Sequence, residues 1–81
     1  MKNNPTPLEL DVRPLLASKR PPLPAIMDAV SRLEDGQSLR LTAPFDPAPL
    51  RDLLAARGFD NTTSEISPGV WVVEFTPRVG D

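Results

Sequence analysis

Three cations, Arg13, Lys19 and Arg20, fall within eight residues of one another, just ahead of the string Pro21-Pro22-Leu23-Pro24. Cations beside a helix N-terminus can hold an anion, because unpaired backbone N–H groups and the helix dipole reinforce their charge. A second cluster, Phe45-Asp46-Pro47, precedes another helical pattern, and Asp46 is the carboxylate placed to serve as a base there. The bland alternative is that the cations are solvated loop charges, the default on any surface. The prolines bear on this choice. With Pro22 at N1 and Pro24 at N3, the first turn would lack two of the amide donors that an anion cradle needs. Such a helix start is stiffened and short of donors, which suits a fixed apolar docking surface better than a phosphate site. Prolines also set the helix angle and lower the entropy of the unfolded chain.

Composition narrows the chemistry further. The 81 residues contain no Cys, no His and no Tyr, and carry a net charge of −2. A thiol nucleophile, a persulfide carrier and a disulfide are therefore excluded, as is the commonest general base and transition-metal ligand. Asp28 with Asp52, and Glu34 with Asp35, are pairs of carboxylates, but they fall on polar faces or at a helix end, where no shifted pKa would arise. No catalytic residue, metal ligand or cofactor is assigned. The acidic balance argues against nucleic acid, which usually selects a basic domain or stripe. No apolar run reaches the ~18 residues of a membrane span. The start "MKNNPTP" lacks the apolar middle of a secretion signal, so the expected compartment is the cytoplasm of a bacterium. At 40% hydrophobic and 25% charged residues, a single folded domain is expected.

The elements that position these residues follow from periodicity. Residues 1–7 read as a flexible lead-in. "LELDVR" alternates, with Leu8, Leu10 and Val12 on one face, and reads as a strand. "PLLASKR" reads as a loop. Leu23, Ile26, Met27, Val30 and Leu33 then fall at helical spacing, with Gly36 placed as the C′ residue. "SLRLTA" alternates again, with Leu39, Leu41 and Ala43 on one face. In "PFDPAPLRDLLAARGF", Asp46 is the expected N-cap, Pro47 the N1 residue, and Gly58 and Phe59 the closing C′ and C″. The two proline-started helices echo each other. "NTTSEI" reads as a polar edge strand, "SPG" as a turn, and "VWVVEF" as an inner strand with Trp71, Val73 and Phe75 under the helices. The edge strand carries Glu65 but no lysine, which leaves a homodimer through it open. The expected fold is an α/β two-layer sandwich of the α+β kind, in βαβαββ order. Its four-stranded mixed sheet carries two helices on one face, with right-handed crossovers. The domain spans 8–76, followed by a flexible tail at 77–81.

The ordered series "LDVRP", "PLP", "DGQSLRL", "FDPAPL", "ARGF" and a Trp in the last strand resembles the TusA/SirA-like sulfur-carrier superfamily. It looks more like an uncharacterised bacterial branch whose members lack the carrier cysteine. The resemblance covers about residues 8–76 and implies the same two-layer fold, similar to the C-terminal domain of bacterial translation initiation factor three. Carriers open their first helix with Cys-Pro-x-Pro. Here Pro22 and Pro24 match, and Pro21 stands in the place of the cysteine. The resemblance therefore implies a docking rim without persulfide chemistry, in a setting of respiratory or nitrogen-oxide metabolism. The resulting expectation is a non-catalytic adaptor that binds a partner protein or a small anion through Arg13, Lys19, Arg20, Pro22, Pro24, Phe45 and Asp46. The alternatives are an enzyme subunit that holds an anionic substrate at the same rim, with Asp46 as base, and RNA binding by analogy of fold.

Overall fold

The order of elements is β1 (Leu8–Asp11), α1 (Arg13–Ala17), α2 (Leu23–Ser31), β2 (Leu39–Ala43), α3 (Ala48–Ala56), β3 (Phe59–Ser67) and β4 (Val70–Pro77). The computed structural model describes residues 6–78. Most of the expected lead-in and tail, residues 1–5 and 79–81, lies outside the described residues. Of the remainder, Thr6 accepts a hydrogen bond from the Gln37 side chain at 2.8 Å, and β4 runs through Pro77.

The strands form one mixed sheet in the order β1-β2-β4-β3. β1 pairs with β2 in parallel, and β4 is antiparallel to both of its neighbours. The apolar last strand is therefore inside and the polar third strand at the edge, as their compositions require. Alternation assigns the two faces. Leu39, Leu41 and Ala43 lie opposite Phe75, Val73 and Trp71. All of these except Trp71 are buried, together with Val12, with Ile26 and Ala29 of α2, and with Leu54 of α3. Both long helices thus seal one face. Trp71 shares that face as expected but is half-buried, at the end of the sheet where β4 begins. The other face carries Arg40, which bridges Glu9 of β1 and Glu74 of β4 at 3.4 Å each.

Five expectations change. The fold has three helices, not two, because Arg13 and the first four residues of the expected loop, "PLLA", form the single-turn α1. Arg13 accordingly opens a helix and does not close a strand. Gly36 is not a C′ residue, since α2 ends at Ser31. It holds φ +78° in a turn closed by the Gln37 N–H on the Glu34 carbonyl at 2.9 Å, a position that favours glycine. β3 begins at Phe59, two residues before "NTTSEI". The helix starts also shift by one residue: Pro22 and Pro47 are N-caps, and Pro24 and Pro49 occupy N2. Gly58, in contrast, closes α3 as expected, with φ +99° and its N–H on the Ala55 carbonyl.

Candidate functional site

All three helices open with proline at N2 (Pro14, Pro24 and Pro49), and none has a side-chain cap. Val12, Pro22 and Pro47, the N-cap residues, carry no oxygen that could cap. Proline at N2 fixes φ and removes an N–H that would otherwise need a partner, so it substitutes for capping. α2 follows β1 by way of α1, and α3 follows β2, so both start at the carboxyl rim of the sheet. There Pro22, Pro24, Pro47 and Pro49 have no N–H to offer an anion.

Between those two starts lies an apolar groove of about 290 Å³. Pro22, Leu23 and Ile26 form one wall, and Pro47, Pro49, Leu50 and Leu53 form the other, with Leu41 and Phe45 completing it. Leu23 is 46% exposed and Phe45 51% exposed, so the groove opens to solvent between two large apolar side chains. Its size is at the lower end of small-ligand pockets, and it lacks the few placed polar groups that orient a substrate.

The seven residues expected at the site separate into three groups. Pro22 and Phe45 line the groove, whereas Pro24 is exposed and does not. Arg13 and Asp46 are engaged elsewhere. The Arg13 guanidinium donates to both oxygens of Asp11, at 2.9 Å from Nε and 2.6 Å from Nη2, and its backbone N–H adds a bond at 3.0 Å. These side-chain hydrogen bonds hold the Asp11 carboxyl below its ordinary value against desolvation, and raise Arg13 above its own. Asp46 does not cap α3. Its two oxygens accept from Arg51 Nε and Nη2 at 2.9 and 3.0 Å, which ties the Phe45 loop to the helix and occupies the carboxylate expected to act as a base.

Lys19 and Arg20 remain, and neither forms a salt bridge among the described residues. They close α1 in a Schellman turn. The Lys19 N–H donates to Leu16 and the Arg20 N–H to Leu15, at 3.0 and 2.8 Å. Lys19 occupies the left-handed C′ position with φ 59°, the one described residue other than glycine with positive φ. Glycine would hold that position without strain, so a lysine there costs about 1 kcal/mol.

Sequence reasoning missed the groove wall supplied by α3. The available signal was the repeat of Pro-x-Pro, Pro22-Leu23-Pro24 and Pro47-Ala48-Pro49, which placed two alike helix starts on one rim. Among the described residues no cluster of acidic side chains could hold a metal ion, and no helix is long and apolar enough to cross a membrane.

No curated protein and no solved structure matches the chain. A family model described as "Uncharacterized conserved protein (DUF2249)" matches residues 9–77, from the first strand to the last residue of β4. That span takes in all of the sheet but Leu8, all three helices and the groove between α2 and α3, and by it the chain belongs to the DUF2249 family.

Proposed function

We propose that this protein is a non-catalytic adaptor whose groove between the α2 and α3 starts docks an apolar segment of a partner protein, with Lys19 and Arg20 receiving acidic residues beside that segment. The observation that carries this reading is the groove itself, solvent-open and flanked by the half-exposed Leu23 and Phe45. Burying the exposed half of each side chain on binding would contribute roughly 1 kcal/mol apiece. The strained Lys19 adds support, because the chain tolerates that cost to keep a cation three residues ahead of Pro22, which lines the groove. A small anion fits less well. Arg13 is committed to Asp11, and Pro22 and Pro24 remove donors from the α2 start.

The resemblance to sulfur carriers supports the same site. Carriers present their cysteine to partner proteins from this rim. Here Pro21 stands in that place, and a chain with no cysteine can retain recognition without sulfur transfer. A cytoplasmic setting in respiratory or nitrogen-oxide metabolism belongs to this reading.

Capture of partners from a host lysate, quantified by mass spectrometry, tests it through charge. Arg20→Glu and Lys19→Glu should each remove a stoichiometric partner retained by the wild-type chain, with unchanged circular dichroism. Equal retention by the charge-reversed chains would dismiss this rim as the docking site.

A further inference from the structure

The strand β3 has β4 on one side and no strand on the other among the described residues. Which of its backbone groups face the open side follows from one bond. The Arg78 N–H donates to the Gly58 carbonyl at 2.8 Å, which marks Gly58 and Arg78 as a hydrogen-bonded pair of the antiparallel ladder. With Phe59 opposite Pro77, Asn61 opposite Phe75 and Thr63 opposite Val73, even-numbered residues of β3 bond to β4. Odd-numbered residues turn both N–H and C=O outward. Pro77, which has no N–H, sits opposite Phe59, where the ladder needs none.

The open edge is bounded at both ends. At its start Arg78 covers the Phe59 carbonyl: Nη2 lies 3.4 Å from it while bonding the Ala55 carbonyl at 2.8 Å. At its end a bulge between Glu65 and Ser67 breaks the regular ladder. Between these limits Asn61, Thr63 and Glu65 present backbone groups that are unpaired among the described residues, and the stretch contains no proline, lysine or bulge of the kind that guards an edge.

We propose that this edge pairs, antiparallel, with the same edge of a second copy of the chain, across a two-fold axis at Thr63. The register is selected by the two boundaries. Centring on Thr62 would run into the Phe59 end that Arg78 covers, and centring on Ser64 would run into the bulge. Centring on Thr63 sets Asn61 opposite the partner's Glu65 and Thr63 opposite the partner's Thr63, so all the outward groups bond. The side chains agree. Asn61 Oδ1 accepts from Thr63 Oγ1 at 3.2 Å, which leaves the Asn61 NH₂ to donate to the partner's Glu65 carboxylate. Thr62 meets the partner's Ser64, and no like charges stand directly opposite. An antiparallel pair has its two-fold perpendicular to the sheet. The result is one continuous sheet with both helical layers, and both grooves, on the same side.

The absence of cysteine makes the test direct. Thr63→Cys places two thiols in a directly opposed pair with Cα atoms about 5.5 Å apart, within disulfide reach. Mild oxidation should give a cross-linked dimer. Thr62→Cys is two residues out of register with itself, beyond the roughly 7 Å limit, and should stay monomeric on a non-reducing gel. Thr63→Pro removes an outward N–H and leaves the ladder to β4 intact, so sedimentation equilibrium should read a monomer where the wild type reads a dimer. If Thr63→Pro fails to fold, Thr63→Lys places two ammonium groups at the axis and should have the same effect. A wild-type chain that stays monomeric at millimolar concentration overturns the proposal. So does a dimer that survives both substitutions, or a Thr62→Cys chain that links as readily as Thr63→Cys.

Discussion

Replacing Asp46 by Asn separates two accounts of the second helix start. Asn and Asp are equally good N-caps, so if Asp46 capped α3 the change would be nearly silent. The structure gives Asp46 another task. Both carboxylate oxygens bond Arg51, at 2.9 and 3.0 Å, with side-chain exposures of 36% for Asp46 and 30% for Arg51. A bidentate pair with that degree of burial lies near the top of the surface range, at about 1 kcal/mol. Asp46→Asn and Arg51→Met should each lose about that amount, and the double variant little more than either, giving a coupling of about 1 kcal/mol. Urea titration of the four chains measures the coupling. In thermal melts each single variant should fall by about 4–8 °C. The coupling should also shrink as salt is added, since the pair is only partly buried. A silent Asp46→Asn beside a destabilised Asp46→Ala would restore the capping account and refute this reasoning.

Other substitutions probe the remaining arguments. Lys19→Gly relieves the left-handed conformation at φ 59° and should raise stability by up to about 1 kcal/mol in urea unfolding, while weakening partner capture. Leu54 is fully buried between α3 and the sheet, and Leu54→Ala should cost about 3–4 kcal/mol. That is a large share of the roughly 4–12 kcal/mol expected for a chain of this size, and a thermal melt would show it as a broad fall in Tm. Asp11 supplies the pH dependence. Its carboxyl is held low in the folded chain by hydrogen bonds from Arg13, so its contribution is present above the unfolded value near 3.9 and is lost as pH falls through the lower folded value. Wild-type and Asp11→Asn unfolding free energies should therefore differ at neutral pH and converge in strong acid.

What the sequence made legible was what short-range periodicity controls. The alternation of Leu39, Leu41 and Ala43 assigned a face of β2, and the apolar run from Val70 to Phe75 put β4 inside the sheet. Gly58 followed by Phe59 marked the end of α3 because a C′ glycine acts within a few residues of chain. Helix starts were harder to read. Asp46 satisfies the local rule for an N-cap, but Arg51, five residues on, offers its carboxylate two charged donors, and the stronger bonds prevail. Arg13 is likewise claimed by Asp11, a partner two residues away that a reading for free cations passes over. α1 was hidden because five residues are too few to show a helical period. The groove was the least legible feature. Pro22 and Pro47 are 25 residues apart, and only the passage of the chain through β2 brings their helix starts together.

Apolar contact at that groove is what binds the partner in the proposed function. The most direct measurement is partner retention, quantified by mass spectrometry from a host lysate, for three chains of equal fold: wild type, Leu23→Asp with Phe45→Asp, and Asp28→Lys. Asp28 lies outside the groove lining, in an exposed i,i+4 pair with Arg32. One stoichiometric protein should be retained by the wild type and by Asp28→Lys, and be absent from the groove variant. Retention of that protein by the groove variant, or no stoichiometric protein on the wild-type chain, would contradict the proposed function.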